Sequence, residues 1–147
     1  MEKQFGIPCR RATVKLIILD RDGVINQDRD DFVKSVDEWI PIEGSMDAIA
    51  FLTQAGYNIA VATNQSGIGR KYFTVQDLTE MHAKMHRLVR QAGGEIDGIW
   101  FCPHTAADNC DCRKPKPGMV YDILERFKAN PRSEEHTSEL QSLVIIS

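Results

Sequence analysis

Residues 14–23 read VKLIILDRDG, an apolar run that ends directly in an acidic loop. Residues 14–19 are almost continuously apolar, which is typical of a strand buried on both faces of a parallel sheet. Similar runs lie at 57–62 (YNIAVA) and 99–101 (IWF). Between and after these runs, apolar residues recur at a spacing of three to four, which predicts helices. The alternation predicts an α/β fold: a doubly wound, Rossmann-like parallel sheet with right-handed crossovers.

Local signals bound the predicted helices. Gly56 is suited to end a helix over residues 45–55. Thr74, with Asp77 three residues later, is suited to cap the start of the next helix. Residues 26–43 are mostly polar and are predicted to form a flap or loop. The side chains predicted to face the sheet are Met46, Ile49, Phe51 and Leu52, then Leu78, Met81, Met85 and Leu88, and finally Met119, Val120, Ile123, Leu124 and Phe127.

Composition excludes several classes of protein. The 147 residues are 42% hydrophobic and 27% charged, with a net charge of −3, which suits one globular domain. A basic excess typical of nucleic-acid binding is missing, and no apolar run approaches the roughly 20 residues of a membrane helix. The start of the chain lacks the apolar core of a secretory signal, so a cytoplasmic location is expected. We expect neither nucleic-acid nor membrane partners, and a monomer.

Three polar clusters follow the three predicted strands, at 20–22 (DRD), 63–64 (TN) and 113–114 (RK). In sheets of this kind the active site lies beyond the carboxyl ends of the strands. Two carboxylates two residues apart can divide nucleophilic and proton-transfer work, while a hydroxyl and two cations can neutralise a phosphoryl group. Acidic residues after a strand are also common helix caps. Three such clusters at consecutive strand ends favour an active site.

A second cluster has the composition of a metal site. Cys102 and His104 form C-x-H, and Cys110 and Cys112 form C-x-C. Three thiolates and one imidazole suit a tetrahedral Zn²⁺ ion. Disulfide pairing is the competing interpretation, but three cysteines and a chain without a signal argue against it. With all four positions filled, the zinc is expected to be structural and to hold the loop that carries 113–114. The other histidines, His82, His86 and His136, are expected to be ordinary surface or helix residues.

The segments DRDGVIN (20–26), VATNQSG (61–67) and CRKPKPG (112–118) resemble motifs I, II and III of the haloacid dehalogenase-like phosphatases. The resemblance covers residues 14–130. The Cys/His loop narrows it to the sugar-bisphosphate phosphatases of heptose biosynthesis, in which the loop binds zinc. The resemblance therefore implies a phosphoric monoester hydrolase with a small phosphorylated sugar as substrate.

The resemblance also implies catalytic roles. Asp20 is the expected nucleophile that forms an aspartyl-phosphate, and Asp22 the expected acid and base. Thr63 and Lys114 are expected to hold the phosphoryl group. Mg²⁺ is expected on the Asp20 carboxylate and the Asp22 backbone carbonyl. Arg113 is suited to a second phosphate or to sugar hydroxyls. The implied substrate-binding residues are Asp28, Arg29, Asp30, Asp31, Thr63, Asn64, Gln65, Ser66, Arg113 and Lys114.

The end of the chain departs from the family's pattern. Residues 132–142 read RSEEHTSELQS, which matches the translation of a common sequencing-library adapter. The predicted division is therefore an N-terminal extension (1–13), an incomplete phosphatase domain with motifs I–III (14–130) and an artefactual tail (131–147). The acidic fourth motif and the C-terminal strands are expected to be missing. The first strand would then be an unpaired sheet edge, and the chain would be destabilised with little or no activity.

Two other functions remain open at this point. A histidinol-phosphate phosphatase shares these motifs and the zinc loop. A zinc-stabilised binding module without catalysis belongs to another class, and the intact pair Asp20 and Asp22 argues against it.

Overall fold

The three apolar runs pair as parallel strands. The computed structural model describes residues 13–128 and 139–147, and these parts form a four-stranded parallel sheet in the order β3-β2-β1-β4. The predicted parallel α/β fold is confirmed. The elements are β1 (Thr13–Leu19), α1 (Ser45–Gln54), β2 (Asn58–Asn64), α2 (Ser66–Gly69), α3 (Val75–Gln91), β3 (Gly98–Cys102), a 3₁₀ turn (Ala106–Asp108), α4 (Gly118–Lys128) and β4 (Glu139–Ile146).

Helices pack on both faces of the sheet because successive residues of a strand point to opposite sides. Ile17 and Leu19 of β1 join the core on the side of α1 and α3. Leu16 and Ile18 join a second core with α4. The predicted inward stripe of α3 is confirmed: its side chains Leu78, Met81 and Met85 are buried, and Leu88 packs against that core.

The capping signals also hold. Thr74 Oγ1 accepts a hydrogen bond from the backbone of Asp77 at 3.1 Å, and the Asp77 carboxylate accepts one from the backbone of Thr74 at 2.9 Å. Gly56 follows α1 with φ +93°, a conformation that glycine adopts without strain. Phe51 was expected to face inward, but its side chain is 72% exposed. It lies two residues from buried Ile49, which places it on the opposite side of the helix.

Residues 26–43 form the predicted flap, which is closed onto the core by an aromatic anchor. Trp39 is fully buried and packs with Val33 and Ile25. Lys84 of α3 donates hydrogen bonds to the backbone oxygen of Trp39 at 2.7 Å and to that of Val36 at 2.8 Å. The flap is therefore fixed to α3 at the edge of the sheet where β1 ends.

The expectation that β1 is an unpaired edge is wrong. β4 pairs with it in parallel along the whole strand, from Thr13 opposite Glu139 to Leu19 opposite Ile146. The run LVII at 143–146 consists of strand-forming apolar residues, and an open strand edge is a template for such a run. The same four residues remain 37–53% exposed, so β4 is the least covered strand. The origin of residues 131–147 stays a prediction.

Parts of the predicted division lie outside the described residues. These are the N-terminal extension, apart from residue 13, and residues 129–138, which include most of the adapter-like segment. Among the described residues, no helix is long and apolar enough to cross a membrane.

His82 lies in a helix, as expected, but it is buried and has a partner that the sequence did not suggest. This side chain is 8% exposed and lies in α3 against the fully buried Arg21, with 3.2 Å between His82 Nε2 and Arg21 Nη1. Because a guanidinium only donates, the imidazole accepts this hydrogen bond at Nε2 and is neutral. Burial and the charge of Arg21 lower the pKa of His82 to about 3. The sequence pattern of α3 did not reveal this contact because Arg21 lies 61 residues away.

Removal of residues 139–147 is expected to lower the free energy of unfolding by roughly 2–4 kcal/mol, because β1 loses a strand partner and its backbone groups become an edge. Urea unfolding followed by circular dichroism measures the change. Val144→Thr, which keeps a β-branched residue at a half-exposed position, is the matched control and is expected to cost less than about 1 kcal/mol. Equal stability with and without residues 139–147 would contradict the role given to β4.

Stability is expected to decrease with acid through His82. Its pKa is about 3 in the folded chain and about 6.5 when unfolded, so the unfolded state binds more protons between these values. The contribution is complete above about pH 6.5 and is lost as the pH falls towards 3, by at most about 1.4 kcal/mol per unit.

Urea unfolding at pH 7.5 and pH 5, in parallel for the unsubstituted chain and His82→Gln, isolates this contribution from other acid effects. Glutamine keeps an acceptor for Arg21 but does not titrate. The variant is expected to lose less stability over this interval than the unsubstituted chain. Identical losses would show that His82 does not carry the linkage.

Candidate active site

The polar clusters that follow β1, β2 and β3 meet at one edge of the sheet. The register pairs Leu19 with Val61, so Asp20 follows β1 beside the end of β2. Lys114 comes from the loop after β3, and its Nζ lies 3.1 Å from Asp20 Oδ1. It also donates a hydrogen bond to the backbone oxygen of Ala62 at 2.9 Å. The expected nucleophile and the expected phosphoryl-binding cation thus form an ion pair.

The Asp20 carboxylate is fixed by a hydrogen bond but remains accessible to solvent. Its Oδ1 accepts a hydrogen bond from the backbone of Arg21 at 2.8 Å, and its side chain is 25% exposed. Its own backbone N–H donates to the oxygen of Ile146 in β4 at 2.8 Å. A carboxylate fixed on one oxygen and accessible to solvent is suited to nucleophilic attack.

Asp22 is held by a set of donors that the sequence did not suggest. Arg21 donates to Asp22 Oδ1 through Nε at 2.9 Å and Nη2 at 2.6 Å, and Asn26 adds a bond at 3.0 Å. Gln65 donates to the other oxygen, Oδ2, at 3.1 Å. These contacts fix the orientation of a carboxylate that is 23% exposed. The sequence reasoning missed Arg21 because it gives no signal for which way a loop side chain points.

Residues 63–66 were expected to contact phosphate and sugar, and the structure gives some of them internal partners. Gln65 donates to Thr63 Oγ1 at 2.9 Å as well as to Asp22, so it links the two strand ends. The Thr63 hydroxyl donates to the backbone oxygen of Asn64 at 3.4 Å. Asn64 makes two hydrogen bonds to the backbone of Lys114. Its Oδ1 accepts from the N–H at 2.9 Å, and its Nδ2 donates to the carbonyl oxygen at 3.2 Å. Thr63, Gln65 and Ser66 are buried.

The expected sugar-contact residues of the flap bond mainly to one another. Arg29 Nε lies 3.0 Å from Asp31 Oδ1, and Lys34 Nζ lies 3.2 Å from Asp31 Oδ2. Hydrogen bonds from Arg29 and Lys34 lower the pKa of Asp31 to about 2. Asp28 accepts a bond from the backbone of Arg29, and Asp30 is exposed. Within the described residues these contacts form a surface ion network and do not join the Asp20 cluster.

The four predicted metal ligands converge. The ligand atoms of Cys102, His104, Cys110 and Cys112 all lie within 4.8 Å of one another. Neighbouring pairs are 3.4–3.6 Å apart. These separations are close to the edges of a tetrahedron around Zn²⁺, about 3.5–3.8 Å for Zn–S and Zn–N bonds of ordinary length. They are too long for a disulfide, and the three cysteines are free.

Two thiols of this cluster, those of Cys110 and Cys112, have pKa values shifted in opposite directions. Burial opposes ionisation of Cys110, but hydrogen bonds from Cys102 and from the backbone of Arg113 and Cys112 lower its pKa to about 6. Burial, together with the hydrogen bonds and charges of Cys102 and Cys110, raises the pKa of Cys112 to about 12. A divalent cation bound by these two thiols would favour the ionised form of both.

The loop that carries the predicted metal ligands leads directly into Arg113 and Lys114, which follow Cys112. Arg113 follows Cys112 and donates to the backbone oxygen of His104 at 3.3 Å. A cleft of about 580 Å³ lies beside this loop and is lined by Asp20, Lys114, Lys116, Pro117, Ile145 and Ser147, among others. The sequence reasoning did not place Ile145 and Ser147 here, because it did not expect β4.

Comparison with known proteins agrees with this geometry. Residues 15–142 match the family model described as polynucleotide kinase 3 phosphatase. A D-glycero-beta-D-manno-heptose-1,7-bisphosphate 7-phosphatase from Neisseria meningitidis serogroup A is 88% identical over 116 residues, which cover 79% of this chain and 62% of that protein. The protein of the same name from Helicobacter pylori strain J99 is 38% identical over 118 residues, covering 80% of this chain and 67% of that protein.

A solved structure gives the same result. The D,D-heptose 1,7-bisphosphate phosphatase from B. bronchiseptica, complexed with magnesium and phosphate, is 57% identical with a TM-score of 0.76. The match covers 78% of this chain and 64% of that one, so this chain spans a little under two thirds of the length of these relatives. On the family model, the relatives and the shared fold together, the chain belongs to the polynucleotide kinase 3 phosphatase family, among the haloacid dehalogenase-like phosphatases that include the heptose-1,7-bisphosphate 7-phosphatases.

Proposed function

We propose that the chain carries the reacting groups of a phosphatase that removes the 7-phosphate of D-glycero-D-manno-heptose 1,7-bisphosphate through an aspartyl-phosphate. The reduced activity expected from its sequence stays a prediction. The observation that carries this proposal is the ion pair between Lys114 and Asp20, 3.1 Å apart at the edge where Asp22 is held. The names of the relatives favour this substrate over histidinol phosphate, and a catalytic arrangement of this kind argues against a purely binding module.

In the first step an Asp20 carboxylate oxygen attacks phosphorus. The bond between phosphorus and the sugar oxygen breaks, its electron pair stays on that oxygen, and a proton from Asp22 neutralises it. The cation of Lys114 screens the repulsion between the carboxylate and the phosphoryl oxygens. The four hydrogen bonds to Asp22, from Arg21, Asn26 and Gln65, keep its carboxyl group in one orientation for this transfer.

In the second step a water oxygen attacks the same phosphorus and gives its proton to Asp22. The bond between phosphorus and Asp20 breaks, phosphate leaves, and the Asp20 carboxylate is regenerated. The Asp20 carboxylate and the Asp22 backbone carbonyl would hold Mg²⁺, which would supply further positive charge against the phosphoryl oxygens. The donor set of two oxygens at one strand end fits this hard cation.

Zn²⁺ is proposed for the four Cys and His ligands as a structural cross-link. The spacing of the ligand atoms fits a closed tetrahedral site, which leaves no position for water. We place the chain in a reducing cytosol, because these thiols bind metal only while they stay reduced. The expected monomer stays a prediction.

The proposed nucleophile can be tested without turnover. Beryllium fluoride forms a phosphoryl-like adduct on an ionised aspartate, and ¹⁹F NMR of the chain with Mg²⁺ is expected to show the bound species. Asp20→Asn is expected to abolish the signal because the amide is not nucleophilic. Asp122→Asn, the same change at an exposed position on α4, serves as the control.

Adduct formation by the Asp20→Asn chain would contradict the assignment of the nucleophile. Phosphate release with Mg²⁺ tests the substrate in the same samples. Heptose 1,7-bisphosphate is expected to release phosphate faster than histidinol phosphate, and the reverse order would favour the second substrate.

Loss of one metal ligand is expected to remove the zinc. Cys110→Ser is expected to lower bound zinc from about one ion per chain to less than a tenth of that, because a hydroxyl is a poor zinc ligand. Elemental analysis after gel filtration measures the metal, and thermal unfolding measures the loss of stability that accompanies it. Cys9→Ser, outside the ligand pattern, is the matched control. Full zinc content in the Cys110→Ser chain would refute the site.

A further inference from the structure

The position of the Lys114 amine needs an explanation beyond its own side chain. A lysine has four rotatable bonds and loses about 2 kcal/mol of rotamer entropy when it is fixed. Lys114 also lies in a loop, between Cys112 and Pro117, and is only half-buried. Its amine nevertheless reaches both Asp20 and the oxygen of Ala62. Such precision requires that the backbone of Lys114 is held as well.

Asn64 supplies that hold. Its Oδ1 accepts a hydrogen bond from the backbone N–H of Lys114 at 2.9 Å, and its Nδ2 donates to the backbone oxygen of the same residue at 3.2 Å. The two bonds form a reciprocal pair across 50 residues of sequence. The backbone N–H of Lys114 can only donate and its carbonyl oxygen can only accept, so the two bonds fix which way the Asn64 amide is turned.

The strand register places Asn64 for this contact. It is the last residue of β2 and pairs with Cys102, the last residue of β3 and one of the four metal ligands. Its neighbour Thr63 accepts a hydrogen bond from Gln65, which also donates to Asp22. The loop that follows β3 therefore already uses one lone pair of Oδ1 and one N–H of the Asn64 amide, which leaves one of each for any other partner.

We propose that Asn64 is a positioning residue that holds the backbone of Lys114 so that the amine stays beside Asp20. This proposal rests on the proposed phosphatase function and deepens it. It differs from the sequence interpretation of Asn64 as a contact of the sugar, and the two roles predict different behaviour towards a ligand that contains no sugar.

Inorganic phosphate is such a ligand. A residue that contacts only the sugar leaves the affinity for phosphate unchanged when it is removed. A residue that positions Lys114 weakens it, because the displaced amine no longer meets the phosphoryl oxygens. Loss of two ordinary hydrogen bonds is expected to raise the Kd for phosphate by about tenfold.

The experiment measures two quantities on the full chain loaded with Mg²⁺ and Zn²⁺. Isothermal titration gives the Kd for inorganic phosphate. A ¹H–¹⁵N spectrum of lysine ammonium groups gives the Lys114 signal, which is visible only while its protons are held in hydrogen bonds. Asn64→Ala is expected to raise the Kd and to remove the signal, with the circular dichroism spectrum unchanged. Asn58→Ala, at the other end of the same strand, is expected to change neither.

Each outcome decides a different point. Unchanged phosphate affinity and an unchanged Lys114 signal in the Asn64→Ala chain would overturn the inference and leave the proposed function intact. A lack of phosphate binding by the unsubstituted chain would overturn the proposed function. In that case the Lys114 ammonium signal alone tests the role of Asn64, and a signal that persists in the Asn64→Ala chain would overturn that role. Should the alanine chain fail to fold, Asn64→Asp takes its place, since it keeps the side-chain volume and one acceptor but loses the donor to the oxygen of Lys114.

Discussion

The parallel ladder between β1 and β2 determines where the reactive groups lie. Because both strands run in the same direction, their carboxyl ends reach the same edge of the sheet, and the pairing of Leu19 with Val61 sets their relative height. Asp20 and Thr63 stand at this edge for that reason alone. A slip of one residue would turn Asp20 to the other face and would also exchange the two apolar cores. The burial of Leu16–Leu19 therefore holds Asp20, the proposed nucleophile, in register.

Charge neutralisation is the second constraint, and it extends from the edge into the core. A fully buried guanidinium is costly unless it is paired, and Arg21 is paired with the Asp22 carboxylate. Arg21 Nη1 contacts the imidazole of His82, whose pKa of about 3 keeps that ring neutral. A second positive charge beside Arg21 is therefore avoided. The carboxylate of Asp22 is thus fixed from the buried side, while its other oxygen meets Gln65. Asp22, the proposed proton-transfer group, therefore gains a defined orientation from an ion pair that also neutralises a buried charge of the core.

The sequence was sufficient for features that depend on local pattern or on topology. Apolar runs and capping signals predicted the strands and helices, and the strand order predicted that 20–22, 63–64 and 113–114 would converge. The C-x-H and C-x-C spacing predicted the metal cluster. The features it did not predict are tertiary choices: the inward turn of Arg21, its contact with His82, and the addition of β4 beside β1. A side chain's direction after a strand end depends on the loop, and strand pairing depends on which edge is open, so neither leaves a local signal. Phe51 was misplaced for a simpler reason, since residues two apart lie on opposite sides of a helix.

The loop after β3 connects the Cys/His cluster with the cluster around Asp20. Two separate sets of contacts along this loop restrict its conformation. Zinc bound as proposed by the Cys/His cluster would fix Cys112, and the amide of Asn64 holds the backbone of Lys114 two residues later. A tie at one end alone would leave the intervening residue free to rotate, and a lysine amine at the end of four bonds would amplify that rotation. With both ends held, the loop transmits the geometry of the sheet to the amine without help from the exposed side of the molecule. With zinc bound as proposed, the Cys/His cluster would therefore help to position the proposed phosphoryl site, although none of its ligands touches Asp20 among the contacts of the described residues.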